Sequence, residues 1–209
     1  MSFTSDYLNI IKTKLNGLNL TKITDHGEFQ EKQFLDSIYP FENSKILTGS
    51  NIKLVADIGF GGGFPSLPIC YTFPFLDVRG FEARKKKVIA VNQISTSLNL
   101  YNFKGYHQRV EQVFFDLPCV ITLKAVGKVA DFLGKIKTSS VDTKVLFYKG
   151  PSFRDLEPGY KEVEGWVLLE EKTYAIGENS RMFLIYEPKK IEAKPTKELV
   201  NLSTILSNK

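Results

Sequence analysis

The sequence predicts an α/β fold: a mostly parallel, seven-stranded sheet with an antiparallel edge, preceded by an N-terminal helical extension. Three observations predict it. From residue 52 to residue 150, short apolar segments alternate with amphipathic ones, the texture of parallel βαβ units. Two longer strand-like segments, 165–176 and 180–188, are spaced as a hairpin and would supply the antiparallel edge. The first 50 residues carry helical periodicity. The 209 residues suit one domain with a small extension, and 43% hydrophobic residues against 24% charged give a sizeable core and exclude a disordered chain.

In order, residues 5–15 read as a helix that Ser5 or Thr4 can cap, with Leu8, Ile10, Ile11 and Leu15 on its apolar face. NLTKIT at 19–24 is a connector. Residues 27–38 give a second helix with Phe34, Leu35 and Ile38 inward, closed by Pro40 and the FENS stretch. IKLVADIG, from residue 52, is a buried strand. FPSLPICYTF follows as a short helix, with Pro65 tolerated in its first turn. Residues 76–82 are the second strand and 83–98 a basic amphipathic helix. Strands at 103–108, 117–123 and 144–150 follow, with a helix over 125–136. The tail from Lys189 is polar, with a weak helix near 196–206. The expected organisation is an extension at 1–50, a main domain at 51–190 and a tail at 191–209, all in one unit. In such a sheet the ligand binds beyond the carboxyl ends of the strands, where strand order reverses.

Several classes are excluded. No segment approaches the roughly 18 apolar residues of a membrane helix. The opening MSFTSDYLNIIKTK lacks a basic start followed by an apolar run, so no secretory signal is expected. Cys70 and Cys119 lie far apart and form no CxxC, as in a reduced cytoplasmic protein. A zinc site would need both of them together with His26 and His107, at spacings unlike any zinc module, so no metal is expected. The net charge of +5 is compatible with a polyanionic partner without establishing one.

The densest chemical signal is Asp57-Ile58-Gly59-Phe60-Gly61-Gly62-Gly63, directly after the first strand. Glycines there allow positive φ and close approach of a ligand to the backbone. A dinucleotide loop would need a third glycine at 64 or 66, where Phe64 and Ser66 stand, and no Gly-Lys-Ser/Thr marks a Walker loop. S-adenosylmethionine (SAM) carries no phosphate and needs room for its sulfonium and amino-acid part, with a carboxylate near the cationic end. Asp57 can supply that carboxylate. Glu82 ends the next strand, nineteen residues beyond Gly63, where a carboxylate can accept hydrogen bonds from a ribose diol.

DIGFGGGFPSLP (57–68) and later segments resemble the RsmG (GidB) family of SAM-dependent 16S rRNA guanine-N7 methyltransferases. The resemblance is carried by NLTKIT with FLDS (Phe34 to Ser37), the Phe64-Pro65…Pro68 continuation, Arg84-Lys85-Lys86, Arg109-Val110-Glu111, Lys149-Gly150, and Arg181 to Tyr186. It implies a Rossmann-like class I SAM-dependent methyltransferase fold, SAM as cofactor, and 16S rRNA or the small ribosomal subunit as partner. A cytoplasmic monomer is expected. The resemblance implies cofactor contacts for Gly59, Phe64, Val110, Glu111 and Lys124, which join Asp57, Gly61, Gly63 and Glu82 from the reading of the loop and strand end. Lys124 stands where the family has arginine, Gln33 where it has histidine, and Ser66 where it has glycine. RNA phosphate contacts are expected from Arg84, Lys85, Arg109, Lys149 and Arg154.

No nucleophile–base constellation is visible, which fits guanine N7, a lone pair without a proton. Lys124 and Lys149 are therefore expected to position substrate and not to act as bases. Phe60, Phe64 and Phe153 are candidates either for stacking on the base or for the core, and Trp166 for packing. His107 is a core-edge or pocket residue. Two other readings stay open: a SAM-dependent methyltransferase with another substrate, and a non-catalytic RNA-binding or assembly module.

Overall fold

The computed structural model describes residues 2–15, 17–47, 52–192, 194–195 and 198–207. The N-terminal part holds α1 (Phe3–Lys14), α2 (His26–Phe29), a π-helical turn (Gln30–Leu35) and α3 (Asp36–Asn43). Then come β1 (Leu54–Ile58), α4 (Ser66–Thr72), β2 (Asp77–Glu82), α5 (Lys85–Ser97), β3 (Phe103–His107) and β4 (Val113–Phe115). They are followed by β5 (Val120–Lys124), α6 (Val129–Leu133), β6 (Lys137–Thr138), β7 (Lys144–Lys149) and α7 (Phe153–Leu156). The chain closes with β8 (Trp166–Ile176), β9 (Asn179–Pro188), β10 (Val200–Asn201) and α8 (Leu202–Ser207).

The main sheet has seven strands in the order β3-β2-β1-β5-β7-β9-β8. All neighbours are parallel except β9, which runs antiparallel to both β7 and β8. The sequence-predicted sheet and its antiparallel hairpin edge are both present. The chain builds outward from β1 to β3 and then returns to β5 on the other side of β1. The topological switch point therefore lies between β1 and β5.

Both faces of the central strands are covered, which is why these strands read as apolar runs instead of alternating. Val55 and Val78 pack with α1, α4 and α5, whereas Ala56, Ile58, Ile121 and Leu123 pack with α6 and α8. A second sheet, β10-β4-β6, closes the latter side and is wholly parallel. It is absent from the sequence reading, because segments of two or three residues carry no period. Part of the polar tail joins it. Of the helix expected near 196–206, positions 196 and 197 lie outside the described residues. Beyond them Val200 pairs with Val113, and Leu202 is buried in the core.

The N-terminal helices differ from expectation in an informative way. α1 starts at Phe3, with Ser2 as its cap in place of Ser5 or Thr4, and buries Phe3, Tyr7 and Ile10. The second helical path runs on through Pro40 to Asn43, held by the burial of Ile38 and Phe41. Its π-turn inserts extra residues and rotates the face. Leu35, expected inward, points outward, and Asp36 and Ser37 take the buried positions. The helix expected over 125–136 shortens to α6, because Ala125 adopts a positive φ of 56° right after β5.

Candidate functional site

A cavity of about 620 Å³ opens over the carboxyl ends of β1, β2, β5 and β7, at the switch point. Its floor on one side is the glycine loop. Gly59 and Gly61 hold φ of 72° and 55°, which disfavour any side chain. Gly62 answers a different constraint, since a Cβ there would lie 2.5 Å from the Leu20 carbonyl oxygen. The Tyr7 hydroxyl donates to the Gly62 carbonyl at 2.6 Å. The N-terminal extension thus grips the loop from outside, and its burial pushes the Tyr7 hydroxyl pKa upward.

Asp57 supports the loop from below. Its carboxylate accepts hydrogen bonds from the Ser66 hydroxyl, the Ser66 backbone N–H and the Thr122 hydroxyl, and it is not part of the cavity lining. Ser66 serves here as the partner that holds the carboxylate in place. Burial pushes the Asp57 carboxyl up to about 6, against the opposing pull of these hydrogen bonds and of Lys124. In the pH interval between its unfolded value and about 6, the folded chain binds the extra proton. Stability therefore falls as pH rises through that interval, by up to roughly 3 kcal/mol from this group. A carboxyl carbon resonance of Asp57 titrating near pH 6 is the expected observation. A midpoint below 4.5 contradicts it.

Glu82 lies at the end of β2 and lines the cavity. Its two oxygens accept the backbone N–H groups of Gly61 (3.2 Å) and Arg84 (2.9 Å). One carboxylate thereby ties the glycine loop to the start of α5, and each oxygen keeps a further lone pair for a ligand.

The opposite wall is ionic. Lys124, at the end of β5, meets the Asp36 carboxylate at 2.8 Å and donates to the Lys32 carbonyl (3.1 Å) and the Ser37 hydroxyl (3.2 Å). Its three N–H donors are all engaged. Burial lowers its pKa, and Asp36 opposes that shift. Asp36 also accepts from the Tyr174 hydroxyl at 2.8 Å, with Arg181 Nε 3.8 Å away. The Tyr148 hydroxyl donates to the Ser37 carbonyl at 2.6 Å. These contacts fasten α3 over the ends of β5, β7 and β9.

Of the residues singled out from sequence, Gly59, Gly61, Phe64, Glu82, Arg84, Lys124 and Lys149 come together around the cavity. Lys149 is held there by Glu157 at 2.7 Å and the Gly127 carbonyl at 3.0 Å, so its ammonium clamps the loop after β5. Gly63 packs against Leu67 and Val91 and does not line the cavity. Val110 is buried on the far face of the sheet, and Glu111 pairs with Lys135 at 3.1 Å; both follow β3 outside the lining. Lys85 and Arg109 are exposed and also outside it, and Arg154 is paired with Glu171.

Phe60 is buried, packed edge-on against Phe103 at 5.8 Å and beneath Gly80, and also borders the cavity. Phe153 is core as well, with Lys149 Nζ 4.9 Å from its ring centroid. Phe64 both packs on Tyr7 and Phe29 and lines the cavity. Trp166 is buried, its indole N–H donating to the Leu133 carbonyl. His107, expected at the core edge or in the pocket, is exposed outside the cavity lining and donates to the Ala83 carbonyl. Sequence reasoning passed over Asp36, Tyr148 and Arg181 as site residues. Asp36 and Arg181 sit inside segments already marked by the family resemblance, and Tyr148 directly precedes one.

A family model described as rRNA small subunit methyltransferase G matches residues 2–170. The chain belongs to this family. A ribosomal RNA small subunit methyltransferase G from Macrococcus caseolyticus is 31% identical over 166 residues, which span 76% of this chain and 63% of that protein. One from Bacillus pumilus is 28% identical over 198 residues, 85% of this chain and 80% of that protein. Against the Lysinibacillus sphaericus relative the match spans only 48% of that protein.

Solved structures share the fold at low identity. A ribosomal protein L11 methylase from Lactobacillus delbrueckii has a TM-score of 0.51 at 12% identity, over 74% of this chain and 78% of that one. A human methyltransferase 10 domain containing protein has 0.54 at 13%, over 75% and 82%. The fold is the Rossmann-like fold of SAM-dependent methyltransferases, and SAM is the family's cofactor. The residues present fit it: glycines at positive φ leave backbone room beside a cavity of suitable size, and Glu82 offers lone pairs into that cavity.

Proposed function

We propose that the protein is an rRNA methyltransferase acting on N7 of a guanosine in the decoding-region loop of 16S rRNA, with free RNA or the small subunit as its partner. The observation that carries this reading is the cavity itself. A glycine loop and a carboxylate form one wall, and cations crowd the rest. Lys32, Arg84, Lys87, Lys124, Lys149 and Arg181 line it against only Asp36 and Glu82 among the acids. Lys32, Lys124 and Lys149 are paired with Glu28, Asp36 and Glu157, and the excess left by Arg84, Lys87 and Arg181 over Glu82 suits a polyanion.

SAM, when bound, supplies an electrophilic methyl group. Gly59, Gly61 and Glu82 would hold it, Glu82 through its free lone pairs to ribose hydroxyls. N7 has no proton to lose, so no side chain has to serve as a base, and the protein contributes alignment and exclusion of water. Lys124 and Lys149 shape the site through the contacts they already make, and Arg84 and Arg181 keep guanidinium donors for phosphate. Lys85, Arg109 and Arg154 would extend that contact beyond the rim. We also place the protein in the cytoplasm as a monomer, with residues 1–50, 51–190 and 191–209 folding as one unit.

The test is transfer of labelled methyl from SAM by the purified protein to rRNA taken from cells lacking the gene. Label at one guanosine, as 7-methylguanosine, is the expected result. Rejection of the RNA while SAM still binds would overturn the substrate assignment.

A further inference from the structure

On the substrate side of the cavity one neutral polar side chain is left without a hydrogen-bond partner among the described residues. This side is built from the π-turn and the ends of β5, β7 and β9. Lys124 has spent its three donors, and Lys149 is committed to Glu157 and Gly127. Asp36 is occupied by Lys124 and Tyr174, the Tyr148 hydroxyl by Ser37, and Lys32 by Glu28 at 2.8 Å. Lys149 keeps one N–H and Lys32 two, and two further side chains remain. Arg181 has only the 3.8 Å approach to Asp36. Gln33 lines the cavity from the π-turn, and among the described residues its side-chain amide has no hydrogen-bond partner.

The charge of the product separates Gln33 from the three cations. Methylation at N7 makes the purine cationic, so a fixed cation beside the ring opposes the reaction, whereas a neutral amide does not. Guanine offers O6 and N1–H side by side, an acceptor next to a donor. A carboxamide matches that pair with its own N–H and C=O, and the grip leaves N7 uncovered.

We propose that Gln33 holds the target guanine by its O6 and N1–H edge, leaving the guanidinium of Arg181 for phosphate. This rests on the guanine-N7 reading above and adds the residue that engages the base. The π-turn gains a purpose by it, since the same extra residues that turn Asp36 inward set Gln33 over the cavity.

The test uses the full chain, SAM, and small-subunit rRNA or subunits from cells lacking the gene. Gln33→Leu keeps the volume and removes the hydrogen bonds. It is expected to lower kcat/KM for RNA about ten- to hundredfold, with SAM affinity within twofold and melting within 2 °C of the wild type. Gln33→His, which keeps one donor and one acceptor, should recover at least a third of the lost rate. Transfer by Gln33→Leu within twofold of the wild type overturns the inference. A lower SAM affinity or melting point in Gln33→Leu also overturns it, because that marks a structural role. So does a His variant as slow as the Leu variant. Absence of transfer by the wild type overturns the parent reading and this inference together.

Discussion

Replacing Asp36 by alanine is expected to cost about 3–5 kcal/mol of stability, the price of leaving a buried ammonium without its partner. Lys124 is enclosed by the π-turn, α3 and the Tyr148 ring, and among the described residues Asp36 is the one carboxylate in contact with its ammonium. Without Asp36 the Tyr174 hydroxyl also loses its acceptor. For a chain of this size the loss amounts to a fall of roughly 10 °C in melting temperature. Replacing both members, Asp36→Leu with Lys124→Met, should return most of it, since a well-packed apolar pair avoids the desolvation of two ions. A scanning calorimetry series on the wild type, the single variant and the double variant settles the matter. A single variant that melts within 2 °C of the wild type refutes the ionic latch.

The second large effect concerns Glu82. Its removal strips two backbone N–H groups, those of Gly61 and Arg84, of their acceptor and takes away the free lone pairs facing the cavity. Glu82→Ala should weaken SAM binding about a hundredfold or more, as expected for loss of two hydrogen bonds to a charged group at about 1.5–3 kcal/mol each. Glu82→Gln is little better, because its NH2 would face one of those N–H donors. Isothermal titration gives the number directly. An alanine variant that binds SAM within threefold of the wild type removes Glu82 from the cofactor site.

Much of this architecture was legible because its signals are local. β1, with its acidic end and glycines, the strand ending in Glu82, and the late hairpin each carry a run, a spacing or a turn that any partner would preserve. The second sheet was not, since Val113–Phe115, Lys137–Thr138 and Val200–Asn201 become strands only through one another. One residue on the face of the second N-terminal helix, Leu35, was misread for a related reason, while Phe34 and Ile38 do pack inward. A period of 3.6 residues points Leu35 inward, and the π-turn that reverses this has no sequence signature of its own.

The site shows the same division. Position relative to strand ends singled out Gly59, Gly61, Glu82, Lys124 and Lys149, all of which line one cavity. The commitments of their side chains were hidden. That Asp57 is held inside by Ser66 and Thr122, that Lys124 is saturated and that Lys149 is tied to Glu157 and Gly127 depends on tertiary neighbours. A charge at a strand end marks where a ligand can sit, and only packing decides whether that charge remains free for it.

The most direct measurement is a map of 7-methylguanosine across 16S rRNA from cells with the gene, without it, and complemented with Glu82→Ala. One guanosine in the decoding-region loop should be methylated with the gene, unmethylated without it, and not restored by the variant. An identical methylation map in all three strains contradicts the account.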